Sequence, residues 1–194
     1  MWSLRPRRPY SNLMSVFQET VKRVFDIFGA ITALLLLSPL IVMFFFLATL
    51  VCERPLLRRV KRYDLNDRAF DVWQFRSTIV RPEEGLSLLR QILRNTDINE
   101  MLLFLNVLRG DMSLVGPHPL TTPSSKVYGA RFAADDLDRV KPGLVSWAQV
   151  RARSDEANSL RRRIDADCDY LANRSLSFDL KILFLAMFSR GTYS

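Results

Sequence analysis

Twenty-six consecutive residues, Ile27 to Cys52, carry no charge and are bounded by Asp26 and Glu53. About 20 apolar residues suffice to cross the hydrocarbon of a bilayer, so this run is long enough to enter lipid. Its flanks restrict how. Arg5, Arg7, Arg8, Lys22 and Arg23 precede it, and Arg54, Arg58, Arg59, Lys61 and Arg62 follow. Positive charge marks the cytoplasmic end of a span, and here both ends carry it. A hairpin that enters and leaves on the cytoplasmic face satisfies both flanks, whereas a tilted span with a tolerated proline satisfies one. Ser38-Pro39 lies near the middle, where proline removes a backbone donor and crowds the preceding turn while the serine hydroxyl can satisfy a freed carbonyl. The expected element is a kinked, re-entrant helix with Ser38 and Pro39 at the kink. No small-residue cleavage site follows the run, which is therefore expected to be retained.

A net charge of +8 and a hydrophobic content of 48% over 194 residues suit one modest domain plus a part that needs an apolar solvent. The basic balance favours anionic partners: nucleic acid, phosphorylated small molecules or a membrane surface. Because the basic residues cluster beside the apolar run, nucleic acid is the weakest of the three. Cys52 and Cys168 show no CxxC spacing and His118 is the single histidine, so neither a disulfide framework nor a zinc cage is supported.

Three parts follow along the chain. Residues 1–25 form a basic interfacial segment with a short amphipathic stretch, Val16, Phe17, Val21, Val24 and Phe25. Residues 26–53 form the membrane helix-break-helix. Residues 54–194 form a domain on the cytosolic face. Within it, the alternation from Phe70 to Phe75 predicts a strand, and Leu86–Leu93 and Ile98–Leu108 carry helical periodicity, ended by Gly110. The stretch from Gly110 to Pro119 is too rich in glycine and proline for a regular element, and Lys141-Pro142-Gly143 marks a turn. Residues 155–172 read as a charged helix with a thin apolar stripe. Leu176–Phe188 has ten hydrophobic residues in thirteen and suits either a core helix or an interfacial one. The fold class is α+β: a small, mostly helical domain with a short β element, anchored by the re-entrant helix and interfacial amphipathic helices.

Several fragments in this order resemble the bacterial sugar transferase family, the monotopic phosphoglycosyl transferases. They are Lys22-Arg23 with Asp26, Ser38-Pro39, Phe75-Arg76-Ser77, the run from Asn106 to Pro117, Lys141-Pro142-Gly143, Trp147 to Val150, and Ser175 with Asp179 to Ile182. The likeness covers nearly the whole chain. It implies transfer of a hexose-1-phosphate from a nucleotide diphosphate sugar to undecaprenyl (polyprenyl) phosphate, initiating exopolysaccharide or capsule synthesis at the cytoplasmic face of the bacterial inner membrane. It also implies an aspartate nucleophile beside a glutamate that holds magnesium. A carboxylate nucleophile divides a hard transfer into two steps, and a hard cation with basic side chains neutralises the phosphate oxygens.

The resemblance places that acidic pair at Asn99-Glu100, so the glutamate is present for magnesium and the nucleophile is substituted. An amide lacks the full charge of a carboxylate and its nitrogen lone pair is delocalised. Gln74 stands for a lysine, His118 for an arginine, Asp64 and Ser146 for glycines, and Leu102 for a proline. Histidine is mostly neutral near pH 7, whereas arginine offers phosphate a permanent charged fork. His118 is expected in a phosphate-facing slot with Gln74, Arg76 and Arg94; a general-base role is the minor alternative. Asp97 shares a helix face with Glu100, but Asp97-Ile98-Asn99-Glu100 also has the form of a capping box. Asp167 and Asp179 match acidic family positions and suit equally a helix cap or a structural acceptor. The thinned chemistry admits a second expectation: an impaired pseudoenzyme that binds substrate or pairs, as a homo- or hetero-oligomer, with an active relative.

Overall fold

The computed structural model describes residues 16–51, 56–75, 98–123, 140–151 and 160–188. Arg76, Arg94, Asp97 and the helix expected at Leu86–Leu93 lie outside the described residues.

Helix α1 spans Val16–Val51 as one element of 36 residues, about 54 Å long at 1.5 Å per residue. The expected division at residues 25 and 26, and the break at Ser38-Pro39, do not interrupt it. The reason is local: Pro39 deprives the Leu35 carbonyl, four residues back, of its usual donor, and the Ser38 hydroxyl donates to that carbonyl at 2.8 Å. Early in α1, Lys22, Asp26 and Ala30 are buried on one face, while Phe17, Val21, Val24 and Phe28 are exposed on the other. That four-residue spacing is the helical period. Leu35, Leu36, Val42 and Met43 are exposed farther on, and Phe44 is buried again.

Strands β1 (Leu57–Tyr63) and β2 (Ala69–Phe75) pair antiparallel, with Arg58 opposite Gln74 and Arg62 opposite Phe70. The second strand was expected from its alternation. The first was hidden by Arg58, Arg59, Lys61 and Arg62, which read as a membrane flank; Arg58, Arg59 and Lys61 are exposed and Arg62 half-buried, the charged side chains by which an edge strand avoids further pairing. Asp64 organises the turn between them: its Oδ1 accepts the N–H groups of Asn66 and Arg68, each at 2.8 Å. The substitution at Asp64 thus supplies a side-chain acceptor that glycine lacks.

Helix α2 (Ile98–Arg109) lies across β2. Leu102 and Phe44 form one buried cluster with Leu40, Leu57, Trp73 and Met101, and Asn106 Nδ2 donates to the Asp71 carbonyl at 2.8 Å. Gly110, at φ 97°, ends the helix in the left-handed conformation that glycine adopts without penalty.

The stretch expected to be irregular contains a strand. β3 (Ser113–Val115) pairs parallel with β4 (Gly143–Val145). The glycines that argued against a regular element are what let the two backbones approach. A Cβ on Gly116 would lie 2.5 Å from the Lys141 carbonyl oxygen, and Gly143 N–H donates to Pro117 O at 2.8 Å.

Three helices complete the described residues: α3 (Trp147–Arg151), α4 (Leu160–Ala172) and α5 (Leu176–Phe188). Ser146 caps α3 reciprocally with Gln149. Its N–H donates to Gln149 Oε1 at 2.7 Å, and its hydroxyl accepts from Gln149 N–H at 3.2 Å. Here too a residue standing for glycine has a structural use. The main core joins Ala30 of α1, Val107 of α2, Met112, Leu114 and Val115 around β3, Tyr170 of α4 and Ile182 of α5. The membrane-type helix is therefore built into the body from its first turns.

Candidate functional site

Asn99 and Glu100 occupy the first turn of α2, where Glu100 is exposed. Unpaired N–H groups and the helix dipole make such a terminus favourable to anions. Gln74 lies at the same end of the body, because its neighbour Trp73 packs in the cluster that holds Met101 and Leu102. Across from Gln74 is exposed Arg58, and the Arg59 guanidinium sits 4.6 Å from the Trp73 ring centroid. Leu102, where the resemblance has proline, is buried against Phe44 and so helps bring the far part of α1 to this end.

His118 is elsewhere. Tyr63 and Leu120 form a bridge with N···O distances of 2.9 and 3.0 Å, which sets the His118 loop beside the Arg62 end of β1. Arg62 is opposite Phe70, four residues along β2 from Gln74, a separation of about 13 Å of strand. Gln74 and His118, grouped in the sequence as phosphate-handling residues, are thus at opposite ends of the hairpin. The His118 ring keeps an exposed edge, but the protein around it withdraws enough water to push its pKa down to about 4, with Arg163 and then Arg62 adding repulsion. A neutral imidazole does not restore the cation expected at this position. Arg62 and Arg163 supply charge there instead.

Asp179 has the contacts of a structural acceptor. It is buried, pairs with Lys22, and accepts the Tyr170 hydroxyl at 2.8 Å. Burial raises its pKa, and the adjacent ammonium of Lys22 opposes that shift. Asp167 is also buried, in α4. Three residues of α1 carry more than the sequence assigned them. Lys22 donates to Val115 O at 3.2 Å besides pairing with Asp179. Arg23 donates to the carbonyls of Val107 and Leu108 at 2.7 and 3.1 Å, satisfying the open end of α2. Asp26 accepts the Ser113 hydroxyl at 2.7 Å and Leu114 N–H at 3.1 Å. Counting Lys22 and Arg23 as membrane-flanking charges missed this. The legible signal was Lys22 with Asp26, an i,i+4 pair of opposite charges on the helix face away from the apolar stripe.

Among the described residues no group of three or more His, Cys, Asp or Glu gathers to hold a metal ion. Glu100 alone is not a cage. It does suit magnesium bound through one carboxylate, substrate phosphates and water, the usual arrangement for that ion. A polar cleft of about 520 Å3 lies at the other end of α2, lined by Glu19, Asp64, Arg68, Asp111 and Lys141 among others. Burial first, and then Arg23, lowers the Lys141 pKa.

The family model for bacterial sugar transferase matches residues 17–191. The chain is 31% identical to the UDP-glucose:undecaprenyl-phosphate glucose-1-phosphate transferase of Escherichia coli, over 92% of this chain and 42% of that protein. It is 34% identical to a protein of the same description from Caulobacter vibrioides, over 91% of this chain and 72% of the relative. The exopolysaccharide production protein PSS of Rhizobium leguminosarum is 30% identical over 89% of this chain and 96% of its own length. The chain thus spans about two fifths of the E. coli protein and most of the shorter relatives.

Proposed function

Since this chain belongs to the bacterial sugar transferase family, we propose that it transfers a hexose-1-phosphate from a UDP-linked sugar to undecaprenyl phosphate at the cytoplasmic face of the bacterial inner membrane. The observation that carries this is the family match across residues 17–191, with relatives described by that reaction. The products are a lipid diphosphate sugar and a nucleoside monophosphate, the opening step of an exopolysaccharide.

The site proposed for this reaction is the N-terminal end of α2. Glu100 would hold magnesium there, and the ion would neutralise phosphate charge. The helix N-terminus and Arg58 add positive potential, and Gln74 offers an amide. Asn99 cannot form the carboxylate–phosphate anhydride of a two-step route. Transfer by this chain is therefore a direct displacement, in which an oxygen of the lipid phosphate bonds to the sugar-bearing phosphorus as the bond to the nucleoside monophosphate breaks.

A re-entrant course of α1 suits this site and is part of the proposal. Arg23 reaches Leu108 and Phe44 packs on Leu102, yet six residues of helix separate Leu102 from Leu108 by about 9 Å. A crossing would place the ends of the apolar run about 30 Å apart on opposite faces of the hydrocarbon. Arg23, just before the run, and Phe44, eight residues before its end, instead approach one short helix, which supports a course that returns toward the face where a lipid-borne phosphate must arrive.

The test is purified full-length protein with radiolabelled UDP-sugars, undecaprenyl phosphate and magnesium. Labelled lipid from the unmodified protein, lost on Glu100→Ala and formed with no label trapped on protein, is the expected result. Asn99 also favours a second reading, the impaired pseudoenzyme. Product from Asn99→Asp alone would establish that reading and sink direct displacement.

A further inference from the structure

Helix α2 is gripped at its C-terminal end by one side chain of α1. The Arg23 guanidinium donates through Nη1 to Val107 O at 2.7 Å and through Nη2 to Leu108 O at 3.1 Å. The last carbonyls of a helix have no partner within it, and a planar charged fork can bond two of them at fixed angles. Successive carbonyls are offset by about 1.5 Å along the axis and about 100° around it. Holding both therefore fixes the axial position of α2 and its rotation together. Gly110 leaves the fork its space, since a Cβ there would lie 3.3 Å from Arg23 Nη2.

The neighbours of Arg23 on α1 keep it in place. Lys22 is buried against Asp179, and Asp26 accepts the Ser113 hydroxyl and Leu114 N–H. Gly29 admits Leu114 so closely that a Cβ would lie 2.5 Å from its Cδ1. The contacts nearer the start of α2 are of another kind. Leu102 meets Phe44 through apolar surface, an attraction without direction that permits sliding. Asn106 Nδ2 ties α2 to the Asp71 carbonyl of β2, so Gln74, and Arg58 opposite it, travel with α2 rather than with α1.

Arg23 lies one turn before Ile27, the first residue of the charge-free run. Glu100 lies eight residues before Leu108, about 12 Å along the α2 axis. The fork thus relates the level at which α1 meets lipid to the level of Glu100.

We propose that Arg23 is a positioning residue for the lipid half of the transfer: its grip on Val107 and Leu108 sets the distance between Glu100 and the point where α1 meets lipid. This rests on the proposed function, in which the lipid phosphate reaches the Glu100 end of α2. The groups of β1 and β2 that face the nucleotide side move with α2. Loosening the fork therefore weakens capture of the lipid phosphate and spares the nucleotide. General destabilisation gives no such split, because loss of folded protein lowers the number of sites and not their affinity for one ligand.

The experiment uses full-length protein in lipid nanodiscs, with Arg23→Met, which removes the fork, and Arg23→Lys, which puts one ammonium in its place. Spin labels are introduced in a Cys52→Ser and Cys168→Ser background. The pair Phe28→Cys with Leu105→Cys spans α1 and α2, and the pair Lys61→Cys with Leu105→Cys spans β1 and α2, all at exposed positions. Arg23→Met is expected to broaden the first distance distribution and leave the second unchanged, with Arg23→Lys between Arg23→Met and the parent. Affinity for undecaprenyl phosphate should fall about tenfold in Arg23→Met, the scale on which displacements near 1 Å are felt, while affinity for UDP stays at the parent value. An unchanged first distance, broadening of both distances, unchanged lipid affinity or equal loss of both affinities overturns the role of Arg23 and leaves the proposed function standing. Failure of the parent protein to bind either probe overturns the proposed function and this role with it.

Discussion

Lys22 of α1 and Asp179 of α5 form a buried ion pair across 157 positions of sequence, with the Tyr170 hydroxyl donating to the same carboxylate. Their side chains are 7 and 1% exposed, so neither charge has water to fall back on. The pair fastens the membrane-type helix to the last described helix of the body.

Removing one partner leaves an uncompensated buried charge, which costs about 3–5 kcal/mol. Lys22→Met or Asp179→Leu alone should lower the melting midpoint in detergent sharply, whereas the double replacement should recover much of the loss. Equal destabilisation by the double variant and the sum of the singles would show that the two charges do not act as a pair.

His118 provides a pH test with one resonance, being the only histidine. Its folded pKa of about 4 lies below the ordinary 6.5. Between those values the unfolded chain binds more protons than the folded one, so this group's stability contribution is complete above about pH 6.5 and is lost as pH falls through 4. NMR titration of the imidazole C–H should give a midpoint near 4. A midpoint near 6.5 would mean that burial and the neighbouring arginines do not act on the ring as described.

The course of α1 is testable from outside the cell. With Arg8→Cys and Arg58→Cys introduced singly into protein lacking the native cysteines, an impermeant thiol reagent should label neither site in intact cells and both after permeabilisation. Labelling of either site in intact cells contradicts a one-face hairpin.

Gly116→Ala should destabilise the body by roughly 1–3 kcal/mol, the range for forcing atoms into a close-packed place. The added carbon would meet the Lys141 carbonyl oxygen at 2.5 Å and Gly143 N at 2.8 Å, both backbone atoms unable to rotate away. A chemical-denaturation midpoint equal to that of the parent would show that β3 and β4 can separate at little cost.

Several elements were legible because their signals are local. The apolar run announced α1, the alternation of Phe70 to Phe75 announced β2, and periodicity with a terminal glycine announced α2 and its end. The short parallel pair β3 and β4 was not, since its stability comes from backbones 30 residues apart that close over two glycines. Likewise, Asp64 and Ser146 looked like lost glycines until the turn and the cap they organise were seen.

By itself, the sequence determined that this chain has a long charge-free segment with two basic flanks and an α+β body. Those follow from side-chain chemistry and short-range period, whereas Asn99 as the substituted nucleophile position is what the family resemblance implies. Only the tertiary structure decided which charges are solvent-facing and which are internal ties, because burial is set by elements distant in sequence. It turned Lys22, Arg23 and Asp26 from membrane-flanking charges into clamps on β3, α2 and α5. It also separated Gln74 from His118, since an antiparallel hairpin carries its two ends apart by the length of its strands.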